Sequence, residues 1–513
     1  MRAGRALRTF ADGLRSSSRR VWWTSFVLVT VLCGLWAISQ PVFAGPDEPA
    51  NVIRATALAH GRLTGDEPRG PVARSLRRVE DSVRVVQAPA IYASIGAVPC
   101  FADHVDLLAP CLRFRGPTED ADVATYAARQ PPAYYGAVGL VSWVHHAGTA
   151  TVYLMRLVSA VVTGALLASA ITAMHRSAAP LLLGVGLAVA VTPMVVFLGG
   201  LVDPSGPEIA AALAFWVCSL VLVSRPGAPV DNTVVAGAGA AGCVLALSHQ
   251  LGPLWLVLIA VVVLAMASRE ALRSLARSTW VRIWGGLIVA AALAQVAWDV
   301  IVQPRDPTLA GRAPSGLSWL EQVQDSFGQT FRWYREMIGW FGWLDNPAAT
   351  LVWIPWTAAL AFLVFVALAW VRRRHAVVLV ALLAAVVVVP VVVNATPYNA
   401  DGTFWQGSYT LPLAVGVPIL AAFSLAATER GRDLVNGRLV LVVGVVVGFG
   451  QLLAFAQDLR RYTVGVDGPL AYFQRAQWNP PLPPLLLTIA YALAVTAFVA
   501  WLLGRPPADA ASL

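Results

Sequence analysis

Twelve runs of predominantly apolar residues punctuate the chain, near 21–42, 152–174, 180–200, 207–224, 232–247, 251–268, 282–303, 350–371, 376–394, 410–427, 438–458 and 483–503. Most approach the length of about 20 residues that an α-helix needs to cross a hydrocarbon core. The expected fold class is therefore an all-α polytopic membrane protein with about twelve transmembrane helices. Composition agrees, since 58% of the residues are hydrophobic and 13% are charged, against about 25% charged in soluble domains. One membrane domain over 21–503 absorbs the chain, leaving a 1–20 segment and a 504–513 tail.

Arginine placement orients the spans. Arg2, Arg5, Arg8, Arg15, Arg19 and Arg20 precede the first one, so the positive-inside rule puts the N-terminus in the cytoplasm. A thirteenth apolar stretch, 133–147, follows Pro131-Pro132. If it does not cross, Arg176, Arg225, Arg269, Arg273, Arg277, Arg282, Arg372 to Arg374, Arg430, Arg432 and Arg438 all fall inside. If it crossed, those clusters would face outside. The stretch is thus expected to be re-entrant or interfacial, and both termini cytoplasmic in the plasma membrane. Large extracytoplasmic loops then span 43–151, carrying amphipathic helices, and 304–349, with shorter outside segments at 395–409 and 459–482.

All 37 Lys-or-Arg positions are arginine, and the net charge is +9. The absence of lysine excludes a Schiff-base lysine and the lysine of a P-loop. Basic charge on such a chain points to lipid head groups and topology, not nucleic acid. Cys33, Cys218 and Cys243 lie in apolar runs, whereas Cys100 and Cys111 share one outside loop, where a disulfide is chemically reasonable.

Six polar constellations gather on the outside face. Asp47-Glu48-Pro49 directly follows the first span, and Asp47, Asn51 and Arg54 share one helical face. A carboxylate there suits a general base beside an anionic substrate; helix capping explains the same residues equally well. Arg129-Gln130-Pro131-Pro132-Ala133-Tyr134-Tyr135 suits an interfacial helix, with Arg129 and Arg156 either phosphate contacts or anchors. Asp203 and Glu208 flank a tight turn, where two acids at a membrane boundary suit a metal or a hydroxyl group, while turn chemistry and capping of the next helix explain the same residues. His249 is isolated in a long apolar region, as a ligand contact or a satisfied turn histidine. Gly328 to Asp345 interleaves Arg332 and Arg335 with Trp333, Trp340 and Trp343, and reads as an amphipathic membrane-surface helix. Tyr398, Trp405, Gln406 and Tyr409 form a mix suited to a polyhydroxyl ligand.

With its acidic pair after the first helix, large first outside loop, Pro-Pro-x-Tyr-Tyr step and Arg156-Leu157-Val158-Ser159, the chain resembles the GT-C superfamily of membrane glycosyltransferases. More narrowly it looks like an uncharacterised actinobacterial GT-C-like family, through Pro46-Asp47-Glu48-Pro49-Ala50, Gly339 to Asp345 and Gln406 to Pro412. The likeness runs over most of 20–460. It implies inverting transfer of a sugar from a polyprenyl-phosphate carrier to a cell-envelope glycan or lipid acceptor outside the cytoplasm. Asp47 would be the base. Glu48 would assist it or, with Asp203, hold a divalent ion such as Mg or Mn. Arg54, Arg129 and Arg156 would neutralise the leaving phosphate. Asn51, His249, Arg332, Tyr398, Trp405, Gln406 and Tyr409 would contact substrate. The family pattern has His at the position of Asn51 and Arg at that of Ser408, which leaves donor specificity and activity open. A lipid-linked sugar flippase, a diphosphate-glycan polymerase and a non-catalytic partner subunit compete with this reading.

Overall fold

A computed structural model describes residues 13–15, 17–69, 83–95, 98–224, 227, 229–302, 317–395, 405–434 and 437–504. Among them, nine helices are long and apolar enough to span a membrane, or ten with one bent pair counted as a single span. They include α1 (Ser18–Ser39), α4 (Thr149–His175), α7 (Ser205–Val223), α11 (Thr279–Ile301), α14 (Thr350–Trp370) and α15 (Arg373–Asn394). The continuous pair α16 (Gly407–Ala414) and α17 (Gly416–Ala426), then α18 (Gly437–Thr463) and α19 (Pro484–Leu503), complete the nine. Two shorter apolar helices, α8 (Asn232–Ser248) and α9 (Gly252–Met266), fill the remaining expected places.

The 180–200 run does not form one straight helix. It breaks into α5 (Pro180–Ala190) and α6 (Pro193–Gly199), bent by 71°. Pro193 removes an N–H and cannot continue the preceding turn. The backbone freed at the break is satisfied from neighbours: Gln451 donates to the Val191 carbonyl at 3.0 Å, and the Thr192 hydroxyl to the Met337 carbonyl at 2.7 Å. In an apolar medium an open helix break survives only with such partners.

Burial sorts the spans. Nearly all of α7 is enclosed by other helices, whereas α11 is largely exposed along its apolar length and presents that surface to lipid. The core is pinned by buried tryptophans whose indole N–H groups find acceptors. Trp36 donates to the Tyr491 hydroxyl at 2.8 Å, Trp216 to the Pro412 carbonyl at 3.1 Å and Trp356 to the Val189 carbonyl at 2.9 Å.

The two faces of the bundle differ. On one, Arg15 donates to the carbonyls of Ala500 and Trp501, while Arg176 bonds Ser18 and pairs with Asp231. This places both ends of the described chain together. On the other lie the interhelical segments that carry most of the polar side chains. There the first loop folds into α2 (Glu48–Ala59), an antiparallel pair β1 (Arg84–Pro89) and β2 (Asp120–Thr125), and α3 (Pro132–Gly139). The small sheet was not expected from the sequence. The 133–147 stretch is α3 plus a 3-10 turn over Leu140–Trp143, too short to cross. Gly139 lets α3 approach α2 closely, since a Cβ there would sit 2.1 Å from the Ala55 carbonyl oxygen.

The second loop also departs from expectation. Helix forms over α12 (Trp319–Gly328) and α13 (Thr330–Ile338), and the chain then makes a hairpin of β3 (Trp340–Phe341) and β4 (Asn346–Pro347). The helix has ended at Ile338, and Gly342 and Leu344, with left-handed φ of 64° and 59°, turn the chain between the two strands. The hairpin docks on the first loop through Trp343, whose indole donates to the Phe43 carbonyl at 2.9 Å.

Candidate functional site

The linker between α1 and α2 presents Asp47. Its backbone is left-handed, φ 60°, at the N-cap of α2, and its side chain makes no capping bond. Non-glycine residues rarely hold that conformation, and such outliers concentrate at functional sites. The carboxylate instead accepts a 2.5 Å hydrogen bond from the Tyr126 hydroxyl, just past β2. Its other oxygen has no protein donor among the described residues. Burial pushes Asp47 above the usual carboxylate range, opposed by the Tyr126 hydrogen bond. Capping does not account for this side chain.

Glu48, its neighbour, is fully buried and does something else. It receives Arg156 Nε at 2.7 Å and Arg156 Nη2 at 2.6 Å, and its Oε1 also accepts the Val202 N–H at 3.1 Å. Arg156 sends its remaining N–H groups to the carbonyls of Ala37, Gln40 and Pro41. All five guanidinium donors are engaged, so Arg156 has none left for a phosphate in this geometry. The pair clamps α4 to the linker.

Arg54 is likewise buried and committed, to the carbonyls of Leu63 at 2.7 Å and Gln130 at 2.8 Å. Burial pushes its guanidinium down to about 10, with Tyr135 opposing. Asn51 donates to the Val202 carbonyl at 3.0 Å and accepts from Tyr135 at 2.9 Å. These residues form a floor behind Asp47. Arg129 is half-buried beside Gln130, its carbonyl held by Trp298 at 2.9 Å, and burial lowers it, with Arg84 lowering it further and Glu67 opposing.

The turn before α7 brings up Asp203, which accepts the Ser205 N–H at 2.7 Å. Burial pushes Asp203 up to about 6; the Ser205 bonds oppose this, and the charges of Asp47 and Glu48 add to it. Tyr409 on α16 lies in the field of Asp47, Asp203 and Glu208. His249 stacks on Tyr409 at 5.7 Å, and burial pushes the imidazole down to about 4, leaving it neutral. Asp47, Asp203, His249 and Tyr409, together with Tyr126, are partly accessible and form one linked polar cluster on the loop face.

Residues 30–417 match the family described as Predicted membrane protein (DUF2142). The chain belongs to that family. The matched stretch of this DUF2142 chain contains the whole Asp47–Tyr409 constellation. No curated protein matches it. Two crystal structures of ArnT from Cupriavidus metallidurans are similar at 13% identity. The one bound to undecaprenyl phosphate covers 94% of this chain and 78% of its own, with a TM-score of 0.44. The apo state covers 96% and 79%, with a TM-score of 0.46.

Several expected site residues of the DUF2142 chain lie elsewhere. Trp405 is buried, donating to Thr410 at 2.9 Å among Trp255, Trp333 and Tyr409. Gln406 caps α16 without a side-chain cap bond. Arg332 pairs with Glu336 at 2.8 Å and covers the Trp340 ring. Tyr398 lies outside the described residues. The divalent-ion expectation does not fit: Glu48 is occupied by Arg156 and Val202, and among the described residues no group of three or more His, Cys, Asp or Glu has metal-holding geometry. A disulfide joins Cys100 to Cys111, with Cα atoms 6.1 Å apart. Tyr126 was missed because its partner is 79 positions away in sequence and no local motif marks it; Tyr135 was read only as an interfacial ring of the Pro-Pro-x-Tyr-Tyr step, not as the donor to Asn51.

Proposed function

We propose that this chain is an inverting GT-C-type glycosyltransferase, moving a sugar from a polyprenyl-phosphate donor to a cell-envelope acceptor on the extracytoplasmic side of the plasma membrane. The observation that carries it is Asp47: a strained, half-buried carboxylate at the end of the first span, free of capping duty and held by Tyr126 with one oxygen open. Asp47 takes the acceptor hydroxyl proton, the acceptor oxygen bonds to the anomeric carbon, and the glycosidic bond breaks with its electron pair leaving on the lipid phosphate. Asp203, next to it, strengthens the base by its charge once ionised. Arg129, half-buried just before the Pro131-Pro132 step, is the arginine assigned to the leaving phosphate. The arginine-rich face, where both ends of the described chain meet, is the cytoplasmic one. No nucleotide sugar is at hand on the other side, which suits a lipid-linked donor.

The engagement of Arg54 and Arg156 favours one competing reading, a non-catalytic partner subunit. The test separates the two. Purified protein in nanodiscs is given a panel of radiolabelled polyprenyl-phosphate sugars with crude envelope glycan. We expect transfer, lowered about 10²- to 10⁴-fold in Asp47→Asn, the usual weight of general-base catalysis. Donor binding without transfer in the wild type would support the partner subunit instead.

A further inference from the structure

Some arginines of the loop face are committed to the protein. Arg461 donates to the carbonyls of Phe101, His104 and Leu107 and pairs with Asp345 at 3.1 Å. Two others are not. The side chains of Arg113 and Arg115 have neither an ion pair nor a hydrogen bond among the described residues, and both are exposed. They stand at the rim of a cavity of about 650 Å³ whose other walls include Pro41, Thr149, Tyr153 and Trp478, with no acidic residue in its lining.

The placement is informative. Pro41 lies two residues past the end of α1, and Thr149 is the first residue of α4, so the cavity sits level with the ends of two spans. That is the depth at which head groups lie. Paired guanidiniums are the side chains best suited to phosphate oxygens, through forked hydrogen bonds. The first turn of α4 adds unsatisfied amides of the same polarity. Tyr153 and Trp478 supply ring faces for the carbon skeleton next to such a phosphate. The volume falls in the range of small-molecule pockets, about 300–1,000 Å³.

One wall is also fixed in advance. Ala109, Pro110 and Leu112 line the cavity, and the segment that carries them is closed by the Cys100–Cys111 disulfide and held by Arg461. Pre-ordering of this kind lowers the cost of binding. Asp47 is not in the lining, which the Glu48–Arg156 clamp meets only at Pro41, whose carbonyl accepts from Arg156.

We propose that the Arg113–Arg115 cavity is a binding site for a phosphate-bearing head group. The proposal does not depend on the transferase reading, because it concerns binding alone.

The test uses full-length protein in micelles of a neutral, phosphate-free detergent. Radiolabelled phosphatidic acid is titrated in one arm and radiolabelled inorganic phosphate in the other. We expect saturable one-site binding in at least one arm, weakened tenfold or more in Arg113→Ala/Arg115→Ala and largely kept in Arg113→Lys/Arg115→Lys. Binding of phosphatidic acid that millimolar phosphate does not displace would identify a lipid head group as the source. Binding of inorganic phosphate alone would identify a soluble one. Because neither side chain is hydrogen-bonded or ion-paired to the protein among the described residues, the alanine variant should elute as wild type on gel filtration with its disulfide intact. Trp478→Ala gives a second handle and should weaken phosphatidic acid more than inorganic phosphate. No binding in either arm, or equal affinity in the double alanine variant, would overturn the proposal.

Discussion

Replacing Glu48 with glutamine removes one charge from a fully buried pair while keeping the side chain's shape. Arg156 then keeps its bonds to three main-chain carbonyls but faces an amide where it had two carboxylate oxygens. One amide oxygen can still accept; the amide N–H₂ confronts a guanidinium N–H in either orientation, and the Val202 N–H as well when it takes the Oε1 place, donor against donor. Breaking a buried pair from one side costs about 3–5 kcal/mol, because the surviving charge is stranded. Two charge-assisted hydrogen bonds at about 1.5–3 kcal/mol each give the same scale. The loss should appear as a clearly lower midpoint of thermal unfolding in detergent, read by gel filtration of heated aliquots. Asp47→Asn should not shift that midpoint downward, because its carboxylate is not a partner in the clamp. Glu48→Gln/Arg156→Met should recover only part of the loss, since it removes the stranded charge but leaves the three carbonyls unpaired. At a temperature where Glu48→Gln is folded, transfer should stay within about tenfold of wild type. A variant with a wild-type midpoint and abolished transfer would refute the structural assignment and return Glu48 to the chemistry.

Three other outcomes follow from the geometry. Tyr126→Phe removes the hydrogen bond that holds Asp47 down, so the acid limb of the pH–rate profile should move to higher pH, with a rate loss of about tenfold at neutral pH. Asp203 titrates near 6 in the fold, above its ordinary value, so the folded state holds that proton more tightly than the unfolded chain does. Stability from this group is full below the unfolded value and falls as pH rises through about 6; Asp203→Asn should erase both that fall in thermal midpoint and the rate inflection near pH 6. Gly407→Ala would set a Cβ 2.3 Å from the Trp333 carbonyl oxygen and disturb the 2.7 Å bond from the Gly407 N–H to Glu336, so it should misplace Tyr409 and lower both expression and transfer.

The membrane architecture was readable because its signal is local. Each apolar run answers to the thickness of lipid, and the arginines between runs decided that 133–147 does not cross. The break at Val191–Thr192 was not foreseen, although Pro193 marks it, because the partners that make it tolerable, Gln451 and Met337, come from elements far along the chain. The same distance explains the site. Asp47 was visible as an acid after a span, but its freedom from capping depends on Tyr126, 79 positions away. Glu48 looked equivalent to its neighbour in sequence and differs only because Arg156, 108 positions on, reaches it. The β1–β2 pair escaped because its two strands are separated by an excursion of some thirty residues, with no turn signal joining them directly.

The Arg156 clamp reads main-chain oxygens at residues 37, 40 and 41 and a side chain at 48. Such a contact is indifferent to most side chains in the intervening stretch but intolerant of a change in their number. Inserting or deleting one residue there would rotate the acidic pair out of reach of α4. Descendants of this chain should therefore keep the count of letters constant between the last turn of the first helix and the acidic pair, whatever spelling the surrounding core imposes there.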